Sequence, residues 1–263
     1  PKSDVFKTEP AGEFEKKNLE KYSDRAVVGI DLAGDKGAST FVSATDADGK
    51  EYTKGVYLSW RSFAADFDAN GNLSTTFDVF KGDTKIASAI KVTNLIDPEG
   101  TKADTYRVVG STDAAQNLKA VATKPWDKQY LELTLQRPED ETMPVDADGK
   151  IGTCNYSAND MSVGDVDGDG VLDLIVKWYP SNAQDNSKGG YTGKTFIDSY
   201  KINYATGETT LMSRIDMGIN IRSGAHYTQF QVWDFDGDGK AELAAKTSDG
   251  TTTYKPGSDG KLQ

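Results

Sequence analysis

MSVGDVDGDGVLDLIVKW (161–178) and FQVWDFDGDGKAELAAKT (230–247) are two copies of one pattern, and their reading decides the fold. Superposed, Val163 falls on Val232, Leu174 on Leu243 and Lys177 on Lys246, every carboxylate is in register, and Asp165 stands 69 residues before Asp234. In the first copy Asp165, Asp167, Asp169 and Asp173 lie at offsets 0, +2, +4 and +8. Asp234, Asp236, Asp238 and Glu242 repeat that spacing in the second. Alternate residues of a tight loop converge on one point, and Gly168, Gly170, Gly237 and Gly239 permit the turn. A backbone carbonyl at offset +6, from Val171 or Lys240, can join them. Hard oxygen donors in that number suit calcium, and without a cation so many adjacent carboxylates repel one another.

An EF-hand shares the DxDxDG opening but needs a bidentate carboxylate at loop position 12, where this chain has Val176 and Ala245. Each loop runs instead straight into a strand, LDLIVKW or AELAAK, so the ion is expected to pin a strand start and to act structurally. A repeat of this length, built of a few strands, suggests propeller blades with large inserted loops. Two such units cannot close a ring and leave strand edges unpaired, so further blades are expected beyond Gln263.

Outward from the repeat, turn punctuation is frequent: DADGK at 46–50 and again at 146–150, ANGN at 69–72, KGD at 81–83 and PEG at 98–100. Between the turns lie short runs with β-branched and aromatic alternation, GVYLSWRSF (55–63), TTFDVFK (75–81) and DTYRVVG (104–110). The chain reads as all-β. Residues 1–19 form a polar leader, with a helical turn expected over 13–21. Residues 20–112 hold roughly seven strands at the spacing of a β-sandwich. A linker over 113–124 leads to a second region, 125–263, opening with a strand marked by Tyr130, Leu131, Leu133 and Leu135.

Composition bounds the function classes. With 30 Lys+Arg against 41 Asp+Glu the formal charge is −11, which argues against a nucleic-acid backbone as partner. No apolar run approaches the roughly 20 residues of a membrane span, so no membrane partner is expected. The single cysteine, Cys154, excludes an internal disulfide and a cysteine metal cluster, and reads as a small apolar residue. His226 is the only histidine, so Ser-His-Asp chemistry would depend on it alone. It can equally be a hydrogen-bonded packing residue beside Tyr227. Arg222 and Lys177 could pair with an anionic ligand or balance the neighbouring carboxylates. Trp178, Tyr179, Tyr191, Tyr227 and Trp233 could platform sugars or simply fill the core. Residue patterns alone lead to a calcium-stabilised, repeat-built β protein.

The segment YSANDMSVGDVDGDGVLDLIVKWYPSNAQDNSKGGYTGKTFIDSYKI, followed by NIRSGAHYTQFQVWDFDGDGKAELAAKTSDGT, resembles the rhamnogalacturonan lyases of polysaccharide lyase family eleven. With DRAVV and GVYLSWRSF upstream, the resemblance covers roughly residues 20–252. It implies an N-terminal fibronectin-like β-sandwich, then the first blades of an eight-bladed β-propeller holding many calcium ions, in a secreted protein of about twice this length. The implied activity is cleavage of rhamnogalacturonan I, a pectic polysaccharide, between rhamnose and galacturonate by β-elimination. It implies substrate contacts at the Asn of the SAND motif, Asn159, and at the Asp of a KWDPSN motif. Here that motif reads KWYPSN, with Tyr179 where the family has a carboxylate and Asn182 at its end. The candidate substrate-facing set is therefore Asn159, Tyr179, Asn182, Arg222 and His226. No catalytic base is assigned, because the family's base and substrate-bridging calcium ligands belong to later blades. Those blades would come from a second chain or a further stretch of this one. The alternative is a non-catalytic carbohydrate-binding or adhesion module on the same calcium-stabilised repeats.

Overall fold

In VYLS, FDVFK and YRVVG every second residue is apolar, so each run buries one face fully and leaves the other half-buried. The computed structural model describes residues 24–34 and 43–263, which leaves the leader and the helical turn expected over 13–21 outside the described residues. The chain divides into two compact units, Pro1–Glu132 and Leu133–Gln263.

In the first unit, β1 (Val28–Asp31), β4 (Val56–Ser59) and β7 (Asn94–Asp97) form one antiparallel sheet in the order β1-β4-β7. The strands β5 (Phe77–Lys81), β6 (Thr84–Ile90) and β8 (Tyr106–Gly110) form another, in the order β6-β5-β8. A two-stranded ribbon pairs β2 (Ala44–Thr45) with β3 (Glu51–Tyr52) around the DADGK turn. Both three-stranded sheets feed one core, in which Val56 and Leu58 meet Phe77, Val79, Tyr106 and Val108 beside Trp60. Trp60 and Phe77 pack edge to face with centroids 5.6 Å apart.

Beside that core Arg25 is only 1% exposed and binds two buried carboxylates. Its Nη1 lies 2.5 Å from Asp66 Oδ2, Nε donates to Asp113 Oδ1 at 3.0 Å, and the guanidinium sits 5.1 Å from the ring centres of both Phe63 and Phe77. Burial alone would raise the pKa of Asp66, but hydrogen bonds from Arg25, the Phe63 amide and Thr112 hold it well below the usual carboxylate range.

Residues 113–132 belong to this first unit. Asp113 is in the Arg25 network, Thr123 bridges to Tyr106, and Trp126 exchanges backbone hydrogen bonds of 2.8 Å with Gly29 and Asp31. The linker expected at 113–124 is thus folded against its own unit, and the division falls after Glu132. The strand expected at 130–135 is also absent: residues 131–140 join no ladder. The Gln136 carbonyl accepts side-chain hydrogen bonds from Tyr200 (3.2 Å) and Arg214 (2.6 Å), and the Thr134 carbonyl accepts one from Thr209. Side chains, not a partner strand, satisfy this extended backbone.

In the second unit, β9 (Glu141–Val145) and β10 (Ile151–Cys154) make a hairpin around the second DADGK turn. Then β11 (Tyr156–Gly164), β12 (Asp173–Pro180), β13 (Phe196–Ile202) and β14 (Thr209–Asp216) run as an antiparallel meander. A further strand, β17 (Thr252–Tyr254), pairs with β14. Central β12 is buried on both faces, which explains its near-continuous apolar run LIVKW. The hairpin of β15 (Phe230–Trp233) and β16 (Glu242–Ala245) lays Val232 and Leu243 against Ile175, Ile197 and Met217 of the meander. Gly164 is required there, since a Cβ would lie 2.6 Å from Val232 Cγ1.

Inside the meander a buried polar knot forms around Asp198, which is 0% exposed. It accepts from Trp178 Nε1 at 2.6 Å, Tyr200 Oη at 2.7 Å and Arg214 Nε at 2.8 Å. Burial first, then the adjacent carboxylate, drives the Tyr200 phenol upward, so it remains a donor.

Candidate functional site

The repeat seen in sequence is a repeat in space. β11 pairs β12 with Met161 opposite Val176 and Gly164 opposite Asp173, while β15 pairs β16 with Phe230 opposite Ala245 and Trp233 opposite Glu242. Aligned residues therefore hold identical register positions, and each acidic loop is the turn of a hairpin.

Within each loop the first aspartate is the hub. Asp165 Oδ1 accepts from the Gly168 amide at 2.7 Å and Oδ2 from Gly170 at 2.9 Å; Asp234 does the same with Gly237 and Gly239 at 2.7 and 2.9 Å. The donating glycines have φ between +80° and +95°, the left-handed region that glycine enters without penalty. The last carboxylate reaches back: Asp173 Oδ2 accepts from Val166 at 2.9 Å and Glu242 Oε2 from Phe235 at 2.8 Å.

Charge balance separates the two loops. Oxygens of Asp234, Asp236, Asp238 and Glu242 all lie within 4.8 Å of one another, whereas in the first loop only Asp165, Asp167 and Asp173 do. Asp169 is drawn to Lys201, whose Nζ lies 2.5 Å from Asp169 Oδ2 and 2.6 Å from Asp167 Oδ2. Those two carboxylates push the Lys201 pKa up, and Lys201 first among other partners pulls that of Asp169 down. Among the described residues no lysine or arginine forms an ion pair with the second loop's carboxylates. Asp173 is fully buried and its Oδ1 has no hydrogen-bond partner. Burial, with Asp167 and Asp169 nearby, raises its pKa to about 6. An orphaned, buried carboxylate oxygen in an all-oxygen cluster fits a hard divalent cation. The carbonyls of Val171 and Lys240 stand at the +6 positions of these turns.

The substrate-facing candidates cluster around a β-bulge. On β11 the pairing steps from Ala158↔Trp178 to Met161↔Val176, so Asn159 and Asp160 together oppose Lys177. Lys177 is 2% exposed; its Nζ pairs with Asp160 and donates to the Tyr227 carbonyl at 3.1 Å. Asn159 Oδ1 is buried without a hydrogen-bond partner, an acceptor held open at the bulge. Thr228, next to Tyr227, has φ +59° and a buried hydroxyl that is likewise unpartnered. A β-branched residue in that region is strained, and such strain gathers at functional sites. Tyr179 is half-buried one strand pair further along, opposite Ser157.

The other candidates have structural roles. Arg222 donates to four carbonyls of the polar loop that follows β12, those of Gln184 (3.3 Å), Asp185 (3.2 Å), Lys188 (2.9 Å) and Gly190 (2.6 Å). It clamps that loop, and after the hydrogen bond from the Ser187 amide its charge also helps hold the Asp185 carboxylate below its ordinary pKa. Asn182 Oδ1 accepts from the Gly193 amide at 2.8 Å. His226 is exposed, and its backbone carbonyl accepts from Gln229 at 3.2 Å. Sequence reasoning missed Asp160 and Thr228. The buried partner of Asp160, Lys177, reads in the sequence as pairing with an anionic ligand or balancing neighbouring carboxylates, and Asp160 is such a carboxylate; nothing in the sequence marks the conformation of Thr228.

Comparison with known proteins connects this geometry to one family. The family model described as "Rhamnogalacturonan lyase family 11, C-terminal domain" matches residues 130–260, and "Rhamnogalacturonan I lyases beta-sheet domain" matches 49–126. The chain is 44% identical over 198 residues to the rhamnogalacturonan endolyase YesW of Bacillus subtilis, covering 75% of this chain and 30% of YesW. It is 43% identical over 204 residues to the exolyase YesX of the same organism, covering 77% and 31%. The crystal structure of YesW superposes with a TM-score of 0.62 at 39% identity, over 91% of this chain and 34% of that one. A PL11 rhamnogalacturonan lyase of Bacillus licheniformis gives 0.64 at 37%, over 91% and 35%. The chain thus spans about a third of the length of these relatives, which exceed the doubling expected from the resemblance. It belongs to the rhamnogalacturonan lyases of polysaccharide lyase family eleven.

Proposed function

We propose that this chain is part of a secreted rhamnogalacturonan lyase, an enzyme that cleaves rhamnogalacturonan I between rhamnose and galacturonate by β-elimination. The observation that carries this reading is the pair of family matches, 49–126 and 130–260, joined to 44% identity with a rhamnogalacturonan endolyase. The proton at C5 of galacturonate lies α to a carboxylate and becomes acidic when that carboxylate is neutralised. A base removes it, the electron pair forms the 4,5 double bond, and the C4–O bond to rhamnose breaks with the proton returning to the leaving oxygen. In this reading the chain supplies scaffold and substrate contacts from Asn159, whose amide oxygen is unpartnered at the bulge, and from Tyr179, further along β12 opposite Ser157. The base is proposed to lie in later blades.

We assign calcium to both acidic loops, with Asp165, Asp167, Asp169, Asp173 and the Val171 carbonyl in the first, and Asp234, Asp236, Asp238, Glu242 and the Lys240 carbonyl in the second. Bound there, the ion would supply the positive charge that lets the carboxylates share one space. Asp165 and Asp234 organise the loop backbone, and Asp173 and Glu242 tie it to the next strand.

In this reading the first unit is the fibronectin-like sandwich, and β11–β14 with the β15–β16 hairpin begin the propeller. Met161 and Val163, about half exposed on one face of β11, and Trp233 and Phe235 beside the second hairpin, form apolar surface for further blades to cover. Secretion is supported by the substrate class and by the calcium available outside cells.

The decisive experiment is the ultraviolet absorbance of the conjugated 4,5-unsaturated uronate when rhamnogalacturonan I is incubated with the protein extended to the length of its relatives. A rise abolished by a chelator supports the reading; no rise with full binding would leave a carbohydrate-binding module instead. That second reading is favoured by Tyr179, which removes a carboxylate from the family's motif. Tyr179→Asp is expected to raise elimination activity if the chain is a lyase, and to leave pure binding uncatalysed if it is a module.

A further inference from the structure

The hairpin β9–β10 and the loop after β12 enclose a groove of about 500 Å³ that none of the roles above uses. Its lining includes Met143, Asp146, Lys150, Asn182, Gln184 and Tyr191. The loop side is rigid before any ligand arrives. Arg222 holds four of its carbonyls, Asn182 is fixed to the Gly193 amide, and the Asn186 amide donates to Tyr227 Oη at 3.0 Å. A preformed wall lowers the ordering cost of binding.

The groups that face the groove are matched to a sugar acid. Tyr191 is 47% exposed, an amphipathic ring open for the C–H face of a pyranose. Lys150 stands at the end of the DADGK turn, and among the described residues no carboxylate pairs with its ammonium; Asp146 across the turn accepts from the Asp148 and Lys150 amides instead. Asn182 and Gln184 add amides at hydroxyl range, each with one polar atom already engaged so that the side chain is held in place. An aromatic platform, an unpaired cation and oriented amides in one open groove match a uronate-bearing oligosaccharide, with carboxylate to Lys150 and ring to Tyr191.

The groove also lies away from the bulge. From Lys177, opposite Asn159, to Pro180 at the end of β12 the strand runs roughly 10 Å, and the groove begins beyond that, at Asn182. The geometry points to a subsite, apart from the Asn159 bulge, that grips a galacturonate of the polysaccharide. This inference rests on the lyase reading for the identity of the polysaccharide, but its chemistry is that of any oligosaccharide carrying uronate.

The test is calorimetric titration of the 263-residue chain, with calcium present, using a linear rhamnogalacturonan oligosaccharide and the same oligosaccharide with its carboxyl groups reduced to alcohols. Tyr191→Ala and Lys150→Ala are each expected to weaken binding of the acidic ligand by roughly tenfold, with unchanged melting temperature. Carboxyl reduction should cost the wild type the same factor as Lys150→Ala and cost that variant nothing more. Lys150→Arg should restore binding. Absence of wild-type binding, or affinity unmoved by both substitutions, overturns the inference. The same variants in the protein extended to its relatives' length separate the two readings. Elimination product with an unchanged KM on long oligosaccharides defeats the subsite alone. Groove binding without any unsaturated uronate defeats the lyase reading and leaves the subsite standing.

Discussion

In the first unit Asp66 and Asp113 are buried around a single guanidinium, that of Arg25, whereas in the second unit carboxylates crowd within each of two hairpin turns, with Lys201 alone among the described residues ion-paired to them. The first arrangement is closed: Asp66 is saturated by Arg25, the Phe63 amide, Thr112 and Gln116. The second leaves Asp173 Oδ1 without a partner. Buried charge must be compensated in either case. The Arg25 cluster carries its counter-charge in the chain, the acidic turns leave a carboxylate oxygen uncompensated, and the two should respond differently to the same perturbations.

The largest effect is expected from Arg25→Met. Removing one member of a buried ion pair leaves the other uncompensated, at a cost of about 3–5 kcal/mol, and this loss should be the same with or without calcium. Urea unfolding in calcium and in chelator would measure it; a loss confined to the chelated protein would erase the distinction between the units. Acid gives a companion test. The folded pKa of Asp66 is depressed, so between it and the ordinary value the unfolded state binds more protons. The stabilisation is fully present above the ordinary carboxylate pKa and is lost as pH falls below it. In Arg25→Met that acid-labile component should shrink, visible as a flatter dependence of unfolding free energy on pH in the acid range.

Calcium removal should act on the second unit alone and, counted per site, somewhat less strongly. A ligand at a hundred times its Kd stabilises the folded state by about 2.7 kcal/mol per site. Thermal melting with chelator should therefore lower the transition that involves residues 133–263, and hydrogen exchange should place the loss in β11–β12 and β15–β16. Asp165→Ala and Asp234→Ala each remove a hub with its backbone hydrogen bonds. Each is expected to reduce the calorimetric calcium stoichiometry from two to one. A melting temperature indifferent to chelator would argue that neither loop takes up the ion.

The difference between the units was unequally legible in the sequence. The hairpin turns were readable because their carboxylates recur at fixed local offsets, and the glycines that shape them lie between. The Arg25 knot was not, because its partners are 41 and 88 residues away and each is an ordinary aspartate in its own context. The knot of Asp198, Trp178 and Arg214 was hidden for the same reason. Tyr130, Leu131, Leu133 and Leu135 misled in the opposite direction: their alternation fits a strand, yet the Thr134 and Gln136 carbonyls are taken by side chains of β13 and β14. Asn159 and Tyr179 were singled out through motif resemblance, while the bulge that holds Asn159 depends on a register shift that no local pattern encodes. Arg222 was recognised as a charge and missed as a clamp.

Within the second unit the two loops sharpen the comparison further, by a smaller effect. Lys201 neutralises Asp167 and Asp169 but holds Asp169 out of the cluster, so an ion entering the first loop competes with an ammonium that the second loop lacks. Replacing it in Lys201→Met keeps much of the aliphatic stem and removes the competitor. In calcium the first loop's affinity should rise several-fold while the second loop's stays fixed; in chelator the variant should melt slightly below the wild type, because the repulsion among Asp165, Asp167, Asp169 and Asp173 is then unrelieved. The opposite signs in the two conditions distinguish a competing counter-ion from a lysine that merely packs. A weaker first site in the variant would show that Lys201 supports the bound state, orienting Asp167 and Asp169 for the metal instead of standing in for it.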